Sequence, residues 1–172
     1  MGNEQTSRGA ATANGASMSS THTNLLFHIV YSTKYRGNLI PPDTKERVYE
    51  YLGGIIRDQK GKLIEIGGVS DHVHILARLS PILAISDVLR IIKTNSSKWI
   101  NETFEPTMPF AWQRGFGTFS VSASNLGQVS AYIRKQEQHH TTMSFRDEYR
   151  ELLIRHGIAF DEQYLFEEEQ ST

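Results

Sequence analysis

Ser70 to Leu79, read as Ser-Asp-His-Val-His-Ile-Leu-Ala-Arg-Leu, hold the densest chemistry in the chain. Val73, Ile75, Ala77 and Leu79 alternate with His72, His74, Leu76 and Arg78, and a period of two is the mark of a β-strand. Residues i and i+2 of a strand point the same way, so both imidazoles can reach one metal ion or one phosphate. A strand buried on both faces would not carry His, His and Arg on one side, so that side is expected to serve something other than core packing. His-x-His alone is a weak signal, because a one-sided sheet also carries ordinary surface histidines.

A second stretch strengthens it. Val129 to His140 reads Val-Ser-Ala-Tyr-Ile-Arg-Lys-Gln-Glu-Gln-His-His. On a helix, Tyr132, Gln136 and His140 form one column at i, i+4 and i+8, bordering the apolar line Leu126, Val129 and Ile133. A tyrosine at such a border is half covered, with its hydroxyl free. A phenol is a competent nucleophile toward a phosphodiester when a metal polarises the phosphate and the oxygens are held in line. His72 and His74 supply two ligands, and an amide or imidazole one turn from the tyrosine supplies a third.

The remaining pattern gives the elements that must position these groups. Asn24 to Thr33 alternates Leu25, Phe27, Ile29 and Tyr31 with Leu26, His28, Val30 and Ser32, a first strand whose His28 reads as a core histidine or an outlying ligand. Lys34, Tyr35 and Arg36 follow, two of them cations able to hold phosphates. Pro41-Pro42 breaks the chain, and Asp43 to Glu46 has the spacing of a capping box opening a helix with Val48, Tyr51, Leu52, Ile55 and Ile56 buried, ended by Gly61. Lys62 to Val69 is a second strand, with Gly67-Gly68 allowing a bulge or tight turn into the histidine strand. Ser86-Asp87 caps a helix to about Asn101, turning Val88, Leu89, Ile92 and Trp99 inward and setting Arg90, Lys93 and Ser97 along one side, where they suit phosphate oxygens. Arg114 to Ser122 is a fourth strand. Ser124 or Asn125 caps the tyrosine helix, and Arg146 to His156 is one more short helix, stopped at Gly157.

Strand, helix, strand, strand, helix, strand is the split βαβ plan of ferredoxin-like folds: an α+β domain, an antiparallel sheet of four to five strands with helices on one face and a C-terminal tyrosine-bearing helix. The histidine pair should lie on the other, open face. Residues 1–23, small and polar, read as a disordered leader with a plausible true start at Met18. The catalytic domain is placed at 24–143, and 144–172 forms a C-terminal helix and acidic tail.

Composition bounds the class. The 172 residues contain no cysteine, which excludes a disulfide framework and thiolate metal sites. No apolar run approaches the ~20 residues that span a bilayer, and no signal peptide is visible, so a cytoplasmic protein without membrane contact is expected. The formal charge is −1, but Leu25 to His140 carries 14 Lys+Arg against 10 Asp+Glu, and Asp161 to Thr172 carries five acids and no base. A mildly basic middle and an acidic tail leave nucleic acid open as a partner.

At this point the chain resembles a known family, the single-tyrosine HUH transposases of small bacterial insertion sequences and their REP-associated relatives. The resemblance runs from about Phe27 to Phe166. It rests on Ser32-Thr-Lys-Tyr-Arg36, Asp71-His-Val-His-Ile-Leu76, Trp112-Gln-Arg-Gly-Phe116, and Tyr132-Ile-Arg-Lys-Gln136 followed by His139-His140. It implies a DNA transposase that cleaves and rejoins single-stranded DNA at hairpin-bearing element ends, Tyr132 attacking the scissile phosphate to give a 5′-phosphotyrosine and a free 3′-OH. It implies His72 and His74 as metal ligands with Gln136 as the third, His139 and His140 being alternatives in this sequence. The metal is Mg²⁺ or Mn²⁺, and imidazole with amide suits Mn²⁺ at least as well. DNA contacts fall to Lys34, Arg36, Arg90, Lys93 and Arg114. A homodimer with shared active sites is implied, the tyrosine helix often serving the partner's histidines.

Three other readings compete. Arg114-Gly-Phe-Gly-Thr-Phe-Ser-Val resembles the aromatic strand of RRM domains, though Thr118 breaks the alternation and the motif falls on the last strand. Replication initiators and relaxases share the HUH chemistry but usually carry more chain. A domesticated, non-catalytic hairpin-binding protein would keep the same motifs.

Overall fold

The structure, a computed structural model, describes residues 22–166. The expected leader, apart from its last two residues, and Glu167, Glu168 and Glu169 of the acidic tail lie outside the described residues. Four strands form one sheet: β1 (Leu26–Ser32), β2 (Lys62–Val69), β3 (His72–Arg78) and β4 (Gly117–Ser120), in the order β2-β3-β1-β4 with every pair antiparallel. With α1 (Lys45–Asp58) after β1 and α2 (Ile85–Phe104) after β3, this is the split βαβ plan.

Alternation decides which side chain meets which layer. Ile29 and Tyr31 of β1 and Val73, Ile75 and Ala77 of β3 face α1 and α2, where they are buried with Val48, Leu52, Ile56, Leu89 and Ile92. At the rim of this layer Tyr51 stacks on Trp99 at 4.2 Å, so both predicted core aromatics close the helix pair rather than fill its centre. The expected capping box does not form. Thr44 is the residue before α1, without a side-chain cap, and its hydroxyl donates to Pro41 O instead. α2 likewise begins after Ala84 rather than at Ser86-Asp87.

The opposite face departs most from expectation. It is not open. α3 (Leu126–Arg134), the short α4 (Gln136–His139) and α5 (Phe145–Arg155) lie over it. The predicted tyrosine helix is one rod in the sequence pattern but bends at Lys135, whose φ of −97° and ψ of 15° separate α3 from α4. Phe145, Tyr149, Leu152 and Leu153 of α5 pack with Val30, Phe119 and Phe166 into a second apolar cluster. Ser144 caps α5 through its hydroxyl, which accepts from Asp147 N, and Gly157 closes it at φ 66°. β3 is therefore buried on both faces, and His72 and His74 are each 0% exposed.

Gly67 and Gly68 act differently from the predicted bulge, which lies between Leu63 and Glu65. A Cβ on Gly67 would stand 2.2 Å from Ile133 O, so the tyrosine helix crosses β2 where a side chain is missing. Gly68 adopts φ 154°, with the His72 carbonyl oxygen 2.2 Å from where its Cβ would be. Gly67→Ala must lift α3 from β2. It is expected to cost ~1–3 kcal/mol in urea unfolding, whereas unchanged stability would show that α3 does not sit this close.

Candidate active site

The histidine pair is oriented from behind. Thr33 N donates to Asp71 O at 2.8 Å, and Gln113 N donates to Ser32 O at 3.0 Å, so three of the sequence motifs are tied together at this end of the sheet. Asp71 Oδ1 accepts from His72 Nδ1 at 2.7 Å, and His74 Nδ1 lies 2.9 Å from His28 Nε2. Both rings therefore have Nδ1 engaged and Nε2 turned toward the helices, the arrangement in which outer partners aim imidazole ligands. His28 stands as the second group that orients His74.

Across from them comes Glu148 of α5, 2% exposed. Its Oε2 lies 3.2 Å from His74 Nε2, 2.9 Å from His140 Nε2 and 3.9 Å from His72 Nε2. Its Oε1 accepts a hydrogen bond from the Tyr132 hydroxyl and one from the Gln136 amide at 2.9 Å. Gln136 Oε1 in turn lies 3.0 Å from His140 Nε2 and 3.4 Å from His72 Nε2. The Tyr132 hydroxyl is thus bound, not free as the sequence pattern suggested. Phe145 stacks on His72 with ring centroids 4.1 Å apart, pressing the ring in place.

His72 Nε2 faces Gln136 Oε1 at 3.4 Å and Glu148 Oε2 at 3.9 Å. His140 donates Nδ1–H to Met143 O at 2.8 Å and meets Glu148 through Nε2. Burial opposes its protonation, but the hydrogen bond and charge of Glu148, the Met143 carbonyl and the Asp71 charge together outweigh it and raise its pKa above the usual 6.5. Burial alone would raise the Glu148 pKa, yet hydrogen bonds from His140 and His74 hold it well below the carboxylate range. Burial lowers His74 to about 4, and burial with the neighbouring His74 lowers His28 to about 3. Burial and then the Glu148 charge raise the Tyr132 phenol. Ligand atoms of His72, His74, His140 and Glu148 all lie within 4.8 Å of one another, three imidazoles and one carboxylate of the kinds that could hold a divalent cation.

Of the residues singled out in the sequence, the structure brings His72, His74, Tyr132 and Gln136 together around Glu148 within one chain. Of the alternatives for a third ligand, His140 and Gln136 reach the cluster. His139 Nε2 stands 3.6 Å from Glu148 Oε1 and makes no hydrogen bond. Glu148 was missed. The signal was present as an acid inside the apolar stripe Phe145, Tyr149, Leu152, where a solvated helix face has no reason to interrupt. The cations spread more widely. Arg36, one of two consecutive residues at φ 56° and 55°, lies 5.2 Å from the Phe166 ring, beside the α5 cluster, and Lys34 rests over Tyr35. Lys93 donates to the carbonyls of Arg114 and Gly115 at 3.0 and 2.9 Å, joining α2 to the strand-four loop. Arg90 pairs with Asp87 at 3.3 Å on α2, the layer opposite the histidines.

The depressed histidines set the acid response of the metal-free protein. Below pH 6.5 the unfolded chain binds a proton at each of His28 and His74 while the folded chain resists until about 3 and 4. Unfolding free energy should fall by roughly 1.5 kcal/mol per histidine between pH 6.5 and 5. Urea unfolding at the two pH values checks this, and a flat or rising stability would contradict it.

Comparisons with known proteins agree with this geometry. Residues 21–136 match the family described as Transposase IS200 like. The transposase of insertion sequence element IS200 from Salmonella typhimurium is 25% identical over 126 residues, covering 70% of this chain and 82% of the relative. A solved chain from Deinococcus radiodurans R1 superposes with a TM-score of 0.56 at 21% identity, covering 69% of this chain and 95% of that one. A REP-associated tyrosine transposase bound to a REP hairpin superposes with a TM-score of 0.54 at 12% identity, covering 90% and 96%. Because the family match takes in both histidines of β3 and the Tyr132–Gln136 pair on the face they share, this chain belongs to the IS200-like family of tyrosine transposases.

Proposed function

We propose that this transposase cleaves and rejoins single-stranded DNA at hairpin-bearing ends through a 5′-phosphotyrosine on Tyr132. The observation that carries the reading is the meeting, inside one chain, of the Tyr132 hydroxyl and the Nε2 atoms of His72 and His74 around a single buried carboxylate. The hairpin substrate draws support from the structural likeness to a transposase bound to one.

His72, His74 and His140, with Gln136 Oε1 in reach, are the residues to hold a divalent ion, Mg²⁺ or Mn²⁺. Such an ion supplies charge to a phosphate oxygen and so makes phosphorus more electrophilic. The chain's own part follows from its contacts. Asp71 and His28 keep Nε2 of each imidazole facing the site. Glu148 Oε1 accepts the hydrogen bond of the phenol, which fixes its oxygen, and the phenolic proton is lost to water as the Tyr132 O–P bond forms. The P–O3′ bond breaks, and the released 3′ oxygen takes up a proton to become a 3′-OH. The reverse attack by a 3′-OH rejoins the strand with no outside energy, because one phosphodiester is exchanged for another. Lys34 and Arg36, past the end of β1, are placed to hold the backbone, with Arg90, Lys93 and Arg114 as more distant contacts. A homodimer is part of the proposal, each chain's tyrosine serving its own histidines. Among the described residues no helix is long and apolar enough to cross a membrane.

Purified protein given Mn²⁺ and a hairpin-bearing single-stranded oligonucleotide should form a covalent adduct that resists denaturing gel electrophoresis. Tyr132→Phe should abolish the adduct and leave hairpin affinity unchanged. An adduct that survives the substitution places the nucleophile elsewhere. Hairpin binding with no adduct in the wild-type protein makes this a binding module without strand transfer.

A further inference from the structure

We propose that Glu148 of α5 is itself a ligand of the divalent ion, so that the centre is built from imidazoles and one carboxylate of a single chain. This rests on the metal-centre reading above. It concerns a residue beyond the segment matched by the family, which ends at Gln136.

Three observations carry it. The first is how the two carboxylate oxygens divide their work. Oε1 is taken by the Tyr132 hydroxyl and the Gln136 amide, both hydrogen donors. Oε2 faces three Nε2 atoms, of His140, His74 and His72, at 2.9, 3.2 and 3.9 Å. Those nitrogens are the ones that would hold the ion, and Oε2 already lies among them. The Gln136 amide offers its carbonyl to the same space but brings no charge.

The second is the cost of the acid where it stands. A carboxylate at 2% exposure needs a charge partner. The ion-pair partners the structure gives it are all imidazoles: His72, His74, His139 and His140. A divalent ion held among these nitrogens would give the acid a charge partner that does not titrate away.

The third is rigidity. Glu148 lies in the first turn of a helix capped by Ser144, the end that favours negative charge. The helix is anchored on both sides of it by Phe145 and Tyr149, packed against Val30, Phe119 and Phe166. On β4, Gly117 makes room for this helix: a Cβ there would stand 2.9 Å from Tyr149 Cε2. A side chain held this firmly cannot turn out to solvent when an ion arrives. The mixed imidazole and carboxylate set suits Mn²⁺ better than it suits Mg²⁺, which prefers oxygen donors and retained waters.

The test reads binding rather than cleavage. Mn²⁺ is titrated into the full chain and into Glu148→Gln, with free Mn²⁺ followed by electron paramagnetic resonance. Glu148→Gln keeps the shape and an acceptor for Tyr132 but loses the charge, and it should weaken Mn²⁺ on the order of tenfold or more. Equal or tighter binding overturns the proposal while leaving the cleavage reading intact. If the variant fails to fold, the wild-type chain decides alone. Grown with carboxyl-¹³C glutamate and loaded with Mn²⁺, it should show the ¹³C hyperfine coupling of a directly bound carboxylate by electron–nuclear double resonance. Bound Mn²⁺ without that coupling overturns the proposal, and a wild-type chain that binds no Mn²⁺ overturns the metal centre itself.

Discussion

A buried carboxylate ringed by imidazoles is the constraint on which this structure depends. Glu148 Oε2 faces Nε2 of His140, His74 and His72 at 2.9, 3.2 and 3.9 Å, while Oε1 holds the Tyr132 hydroxyl and the Gln136 amide. A buried polar group without a partner costs on the order of 1–3 kcal/mol, and a charged one more. The fold tolerates this arrangement because its surroundings leave the groups no alternative. Asp71 and His28 fix the imidazoles from the strand side, and the apolar stripe of α5 fixes the acid from the helix side. The result is a site ready for a cation and a phenol held at its edge.

Two layers share this work unequally. α1 and α2 cover the face of Ile29, Tyr31, Val73 and Ile75, and they make the sheet rigid without touching the chemistry. α3, α4 and α5 cover the other face and carry nearly all of it. The close crossing of α3 over Gly67 sets how deep Tyr132 sits, and the bend at Lys135 lets Gln136 turn inward to 1% exposure. A straight rod would leave Gln136 on the border of the apolar line, where the sequence pattern alone put it.

Much of this was legible in the residues. The alternation of β3 gave the strand and put both imidazoles on one side, because strand geometry leaves no freedom there. The i, i+4 spacing of Tyr132 and Gln136 brought both side chains to the same carboxylate, Glu148 Oε1, for a similar reason. What could not be read was burial. The pattern of β3 suggested a one-sided sheet, since polar side chains usually mark a wet face, yet His72 and His74 are fully enclosed. Their enclosure comes from a helix some seventy residues later whose contacts with the sheet are tertiary, and tertiary contacts leave no local period. Glu148 carried a local signal, an acid inside the apolar stripe of its own helix, but that stripe does not say which layer it meets until the helix is known to lie over the histidines. The capping box at Asp43 to Glu46 failed differently. Spacing allowed it, but the chain leaving Pro41-Pro42 gives Thr44 another acceptor.

The account's central claim is that the imidazoles of one strand and the phenol of one helix share a single cation within one chain. Diffraction from crystals grown with Mn²⁺, with data collected at the manganese absorption edge, tests it most directly. The account predicts one strong anomalous peak per chain, bonded to His72 and His74 Nε2 and beside the Tyr132 of the same chain. A peak bound elsewhere, or none in crystals soaked to saturation, would contradict it.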